Sequence, residues 1–146
     1  MLSQRGRYAL KAMLNLARAV EHRPKQVSLI AIEETISRKF LEAIMSELRQ
    51  AGLIESTRGK HGGYRLTRPP EKITFGEIMR LTDGPLALLP CVSQKFYRRC
   101  DDCPDEGACA LRRVMADVRR EVSDILDRMT LSDALASGAP VLADLA

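Results

Sequence analysis

A mainly α fold with a small β-hairpin wing, that is, a winged helix-turn-helix plus a long C-terminal dimerisation helix, is predicted by three features of the sequence. Apolar residues recur at helical spacing in several short stretches of the first half. Two strand-like runs flank the glycine-rich turn RGKHGG, and a heptad seam runs from Leu111 to Met129. With 146 residues and 45% hydrophobic content, the chain suits one compact core with an extension.

In order, Ser3 caps a helix over 6–20, whose Tyr8, Ala9, Ala12, Met13, Leu16, Ala17 and Val20 share a face. After a turn at Pro24, Ser28 precedes a short second helix with apolar Leu29, Ile30 and Ile32. Ser37 caps RKFLEAIMSELRQ, where Phe40, Leu41, Ile44, Met45 and Leu48 line one face and Gly52 stops the helix. Its outward face carries Arg38, Lys39, Glu42, Glu47 and Arg49. Two helices joined by a tight turn suggest a helix-turn-helix, and LIEST (53–57) and YRLT (64–67) follow as strands. The tip between them has three glycines and can bring Arg58 and Lys60 close to a nucleic-acid backbone or groove. Thr74 then caps FGEIMRLTD, which ends at Gly84-Pro85.

The seam consists of Leu111, Met115, Val118, Val122, Ile125 and Met129. Arg113 with Asp117, Arg120 with Asp124 and Asp124 with Arg128 are pairs four apart, each contributing about 0.2–0.5 kcal/mol. Such a helix, following an otherwise complete small domain, is expected to pack on its copy in a homodimer; the alternative packs it on its own winged helix. The terminal TLSDALASGAPVLADLA reads as one more short helix and a tail. The expected division is 1–85 for DNA binding, 86–110 for a cysteine-rich loop, 107–136 for dimerisation and 137–146 for the tail.

Charge and composition narrow the function. Residues 1–72 carry 14 Lys and Arg against 7 acids, a net +7, whereas residues 73–146 carry 9 against 12, a net −3. A basic partner surface therefore belongs to the first half, where the capped helix can enter a major groove and the wing can follow phosphates. An aromatic content of 4% argues against a base-stacking platform. No apolar run approaches a membrane span and the start has no leader pattern, so a cytoplasmic protein is expected. An enzyme is disfavoured: His22 and His61 are the only histidines, and neither neighbours a plausible nucleophile. RGKHGG also lacks a P-loop frame. An adaptor acting through the seam alone would not bind duplex DNA.

All four cysteines lie within CVSQKFYRRCDDCPDEGAC, and in a reducing compartment such a cluster is a metal or redox site more often than a disulfide framework. Together with SQRGRYAL, SRKFLEAIMSELRQAGLIESTRGKHGGYRLTRP and ITFGEIMRLTDGP, this loop and the helix after it resemble the iron-sulfur cluster regulator family of bacterial winged-helix transcription factors (IscR-like) over residues 1–136. The resemblance implies a homodimer on partly palindromic operator DNA. By matching position it assigns Ser37, Arg38, Lys39 and Glu42 to the recognition helix, and Arg58, Lys60 and His61 to the wing. Glu42 matches a position used near base edges, where a carboxylate accepts from cytosine N4. The stretch between Ser28 and Ser37 is about two residues shorter than in relatives, so the second helix or its turn is shortened.

Cluster-bearing relatives space three cysteines by five residues and add a histidine or an N-terminal acid as fourth ligand. Here Cys103 and Cys109 keep that gap, eleven residues separate Cys91 from Cys103, Arg112 stands at the histidine position, and no acid precedes Glu21. Cys100 is the replacement this departure suggests, so the expected cofactor is an iron-sulfur cluster, 2Fe-2S or 4Fe-4S, on Cys91, Cys100, Cys103 and Cys109. Structural zinc on the same thiols and a metal-free thiol/disulfide redox switch remain as alternatives, the latter weakened by Asp101, Asp102, Asp105 and Glu106, which should raise thiol pKa values.

Overall fold

The computed structural model describes residues 2–136, which form six α-helices and one two-stranded antiparallel sheet. Helix α1 spans Gln4–Ala17, α2 Val27–Glu34 and α3 Arg38–Gln50; β1 spans Ile54–Thr57 and β2 Gly63–Leu66; α4 spans Phe75–Asp83, α5 Ala110–Arg128 and α6 Leu131–Ala136. The winged helix predicted from the sequence is present. No helix among the described residues is long and apolar enough to cross a membrane.

Capping chemistry sets most helix starts. The side chains of Ser3, Ser37 and Thr74 accept from the backbone N–H groups of Gly6, Phe40 and Glu77, satisfying donors that the first turn leaves unpaired. Helix α2 departs from the expectation. It starts one residue before Ser28 with Gln26 at the cap position and no side-chain cap. The preceding backbone is already committed: Lys25 exchanges two 2.8 Å hydrogen bonds with Tyr64, an isolated bridge beside the wing, and the helix opens directly after it. Helix α1 ends at Ala17, three residues early, because the backbone turns extended at Ala19 (ψ 127°), and Val20 is left 76% exposed. The wing lies so close to Lys25 that a Cβ on Gly63, whose φ is +145°, would meet the Lys25 carbonyl carbon at 2.4 Å. At its other end α2, only eight residues long, closes with Thr35 in the left-handed region, φ 56° and ψ 50°.

Buried Met13 and Leu16 of α1, Ile30 of α2, Leu41, Ile44, Met45 and Leu48 of α3, Ile54 of β1 and Ile78 of α4 form one core. Phe40 sits at its edge, with its ring edge-on to Tyr8 at 5.7 Å. Leu29 and Ile32 face outward. Asn15 is buried but satisfied: its amide donates to Glu33 and Glu34, and its oxygen accepts from Lys25 Nζ at 2.8 Å. Lys25 and Asn15 hold the Glu33 carboxyl below its ordinary range. In the sheet, Ile54 pairs with Leu66 and Glu55 with Arg65, the latter also through a 2.5 Å salt bridge.

Helix α5 stands apart from the core. None of its residues is buried, and Leu111, Val118, Val122, Ile125 and Met129 are all exposed within the chain. It is anchored at its C-terminal end, where Phe75 N–H donates to the Met129 carbonyl and Leu131 N–H to the Ile73 carbonyl. Arg80 of α4 grips Asp127 through two bonds of 2.5 and 2.8 Å. That clamp holds the Asp127 carboxyl below the usual carboxylate range. The expected pairs four apart on α5 are replaced: Arg120 pairs with Asp117 three residues back, and Arg128 donates to the Asp124 carbonyl. Thr130 and Asp133 cap α6 reciprocally, and α6 returns Leu131 to the core. The expected tail lies outside the described residues.

Candidate functional site

Two groups of side chains stand out, one on the basic half and one on the cysteine loop. The first is built by α3 and the wing. The amphipathic pattern of α3 buries one face, and its N-terminal residues Ser37, Arg38, Lys39 and Glu42 are all exposed. Ser37 Oγ is engaged as the cap. Arg38 Nε donates to Glu42 Oε1 at 2.9 Å, so the two candidate base-reading side chains hold each other. Glu47, read from sequence as part of the outward face, instead turns to Arg5 of α1. Arg58, Lys60 and His61 are exposed at the wing, and none of them forms a hydrogen bond or ion pair with a described residue. Cations without internal partners are open to phosphate.

One feature escaped the sequence reading. Arg23, Lys25, Leu29, Lys60, His61 and Gly62 line a cleft of about 500 Å³ between the wing and the start of α2. It exists because Lys25 pairs with Tyr64 across a separation of 39 positions, for which local sequence offers no signal.

The second group is the thiol cleft. Cys91 lies buried in a 3-10 turn, Pro90–Val92, and Cys109 is the N-cap of α5; Cys100 and Cys103 sit half-buried on the loop between. All four thiols are free and line one cleft of about 450 Å³. The loop is internally tied: Cys103 N–H donates to the Cys100 carbonyl at 3.2 Å, Arg99 donates to the Cys103 and Pro104 carbonyls, and the Tyr97 hydroxyl donates to Glu106. Arg112, at the position where relatives were expected to carry histidine, lines the cleft too. Its Nε donates to the Cys91 carbonyl at 3.3 Å and its backbone N–H to Cys109 Sγ at 3.4 Å.

The Cys100 thiol pKa is pushed up, first by its hydrogen bond with Cys91, then by desolvation and by the charges of Cys91, Asp102 and Cys103. A neighbouring sulfur thus outweighs the loop acids that the sequence suggested as the cause. Among the described residues, no three cysteine, histidine or carboxylate side chains form a ready cage for one metal ion.

Known proteins match this chain along most of its length. The Rrf2 family, described as iron-dependent transcriptional regulators, matches residues 2–137. A Rhodobacter capsulatus protein named as an rrf2-like HTH-type transcriptional regulator is 43% identical over 145 residues, covering 96% of this chain and 95% of its own. The HTH-type transcriptional regulator IscR of Vibrio campbellii is 32% identical over 132 residues, covering 90% of this chain and 75% of its own. The solved structure of CymR, the global cysteine regulator of Bacillus subtilis, aligns with a TM-score of 0.79 at 33% identity, covering 95% of this chain and 98% of that one. The two relatives matched by sequence are named as regulators of transcription and not as enzymes, and the CymR structure shares the winged-helix fold with its C-terminal helix. By sequence and by fold, this chain belongs to the Rrf2 family of bacterial transcriptional regulators.

Proposed function

We propose that the chain is a cytoplasmic, homodimeric, operator-binding regulator whose affinity for duplex DNA is set by an iron-sulfur cluster held by Cys91, Cys100, Cys103 and Cys109. The observation that carries this reading is that every cysteine of the chain lines one cleft at the N-terminus of α5. A tetrahedral zinc site needs its sulfurs drawn to about 2.3 Å from a single point, whereas a cluster spreads its thiolates over several irons. When bound, a cluster supplies an anionic inorganic centre that is sensitive to oxidation and to iron supply. Unpaired N–H groups at the start of α5 and the Arg112 side chain offset that negative charge.

The residues themselves suggest how the cleft reaches the DNA. Helix α5 is held at its far end by Arg80, Asp127 and the Met129 carbonyl, so its near end is positioned by what joins Cys91 to Cys109. Drawing those thiols together or releasing them changes the tilt of α5 against the winged helix. In a dimer paired through the α5 seam, that tilt sets the spacing of the two α3 helices. Half-sites about 34–36 Å apart accept both only at one setting. Arg38, held by Glu42, and the unpartnered Arg58 and Lys60 then supply the contacts.

Anaerobic purification with a visible absorption spectrum and iron, sulfide and zinc analysis tests this. Brown protein with acid-labile sulfide, and operator affinities that differ about 5- to 150-fold between loaded and apo chain, are expected. A colourless chain that takes up neither iron nor sulfide on reconstitution refutes the cluster. Four free thiols in one cleft also suit a second reading, a thiol/disulfide switch, which the same samples distinguish by DNA affinity that changes with oxidation of the metal-free chain.

A further inference from the structure

A third cavity, of about 220 Å³, lies between the end of α4, the segment 84–96 and the inner side of α5, and shares no lining residue with the thiol cleft. Arg80, Lys95 and Arg119 line it, and no aspartate or glutamate does. Arg80 commits its two terminal nitrogens to Asp127. Lys95 and Arg119 form no hydrogen bond or ion pair with any described residue, and Arg119 Nε is buried without a partner. A buried donor left unpaired costs free energy, and a planar guanidinium is best satisfied by a carboxylate. The rest of the wall is apolar at Pro85, Leu86 and Phe96, which a bare inorganic anion would leave uncovered. At about 30 Å³ per water, the space corresponds to roughly seven waters, which suits a small organic acid.

We propose that this cavity binds a small organic monocarboxylate with a short apolar body, whose carboxylate bridges Arg119 and Lys95 while its hydrocarbon lies on Leu86 and Phe96. This site needs no cluster and constitutes a second input. Its wall includes Ser93, two residues from Cys91, and Arg80, half of the clamp on α5, so an occupant joins the loop and α4 to α5 about two turns further along the helix than Arg112 of the thiol cleft.

Isothermal titration of the full-length, metal-free chain with isobutyrate at fixed ionic strength tests the proposal, with isobutyramide and inorganic phosphate as controls. Isobutyrate is expected to bind saturably and the two controls at least about tenfold more weakly, because the ion-paired hydrogen bonds and the apolar contact are each worth about that factor. Arg119→Gln should weaken isobutyrate about tenfold or more. Lys95→Gln, on an exposed loop position that the fold does not use, should weaken it severalfold with an unchanged circular dichroism spectrum. Absence of saturable heat up to about 20 mM, phosphate binding as tightly as isobutyrate, or wild-type affinity in both variants overturns the assignment.

Discussion

Replacing Lys60 by alanine removes one exposed cation from the wing without touching any internal partner, so the folded chain should tolerate it. Two wings meet the duplex in the proposed homodimer, and the substitution deletes two phosphate contacts per complex. Each contact contributes about 0.9 to the slope of log affinity against log salt, so that slope should fall by about 1.8. Between about 50 and 200 mM salt the wild-type affinity then drops roughly 12-fold more than that of the variant. The assay is fluorescence anisotropy with a labelled operator duplex, selected from random sequence by the wild-type protein and titrated at five or so salt concentrations. Arg120→Ala serves as control, since Arg120 pairs with Asp117 on α5, away from the wing. Parallel salt lines for wild type and Lys60→Ala would remove the wing from the DNA footprint. A fall of only about 0.9 would keep the wing but mean that one head at a time is engaged.

Val122→Asp puts a charge in the exposed seam of α5 and should convert a dimer to a monomer in light scattering while leaving the helical spectrum intact; a dimer that persists would move the interface elsewhere. Leu131→Ala empties a fully buried position and should cost about 2–5 kcal/mol in urea unfolding, whereas a loss below about 1 kcal/mol would show that α6 is not part of the core. Asp127→Asn removes the acceptor of Arg80 and tests a pH dependence. The folded-state pKa of Asp127 lies below its unfolded value, so its stabilisation is complete above about pH 4 and fades as pH falls through the folded value. Melting temperatures of variant and wild type should therefore differ at neutral pH and converge in acid, and a gap that stays constant down to about pH 3 would show that the clamp adds nothing.

Local rules made much of the fold and of the candidate sites legible. Ser3, Ser37 and Thr74 announce helix starts because a short side-chain oxygen one position before an apolar-periodic run has little else to do than accept from the first turn. Glycines around Arg58 and Lys60 announce the wing because backbone freedom and charge are wanted together at a tip. The cysteine loop stood out through composition alone, since it holds every cysteine of the chain. Where expectation and structure differ, distant partners are involved: the second helix opens before Ser28, directly after the residue that pairs with Tyr64, and Glu47 leaves the outward face for Arg5.

Sequence by itself determined the elements, their order, the concentration of basic charge in the first half and the grouping of all four cysteines in one loop, since each is local along the chain. Tertiary structure alone decided that those sulfurs share one cleft, that α5 is clamped to α4 through Arg80 and Asp127, and that Arg119 is left with a buried, unanswered donor. These follow from packing between segments as many as 47 positions apart, where the free energy of contact depends on the geometry of the assembled core and leaves no periodic trace along the chain.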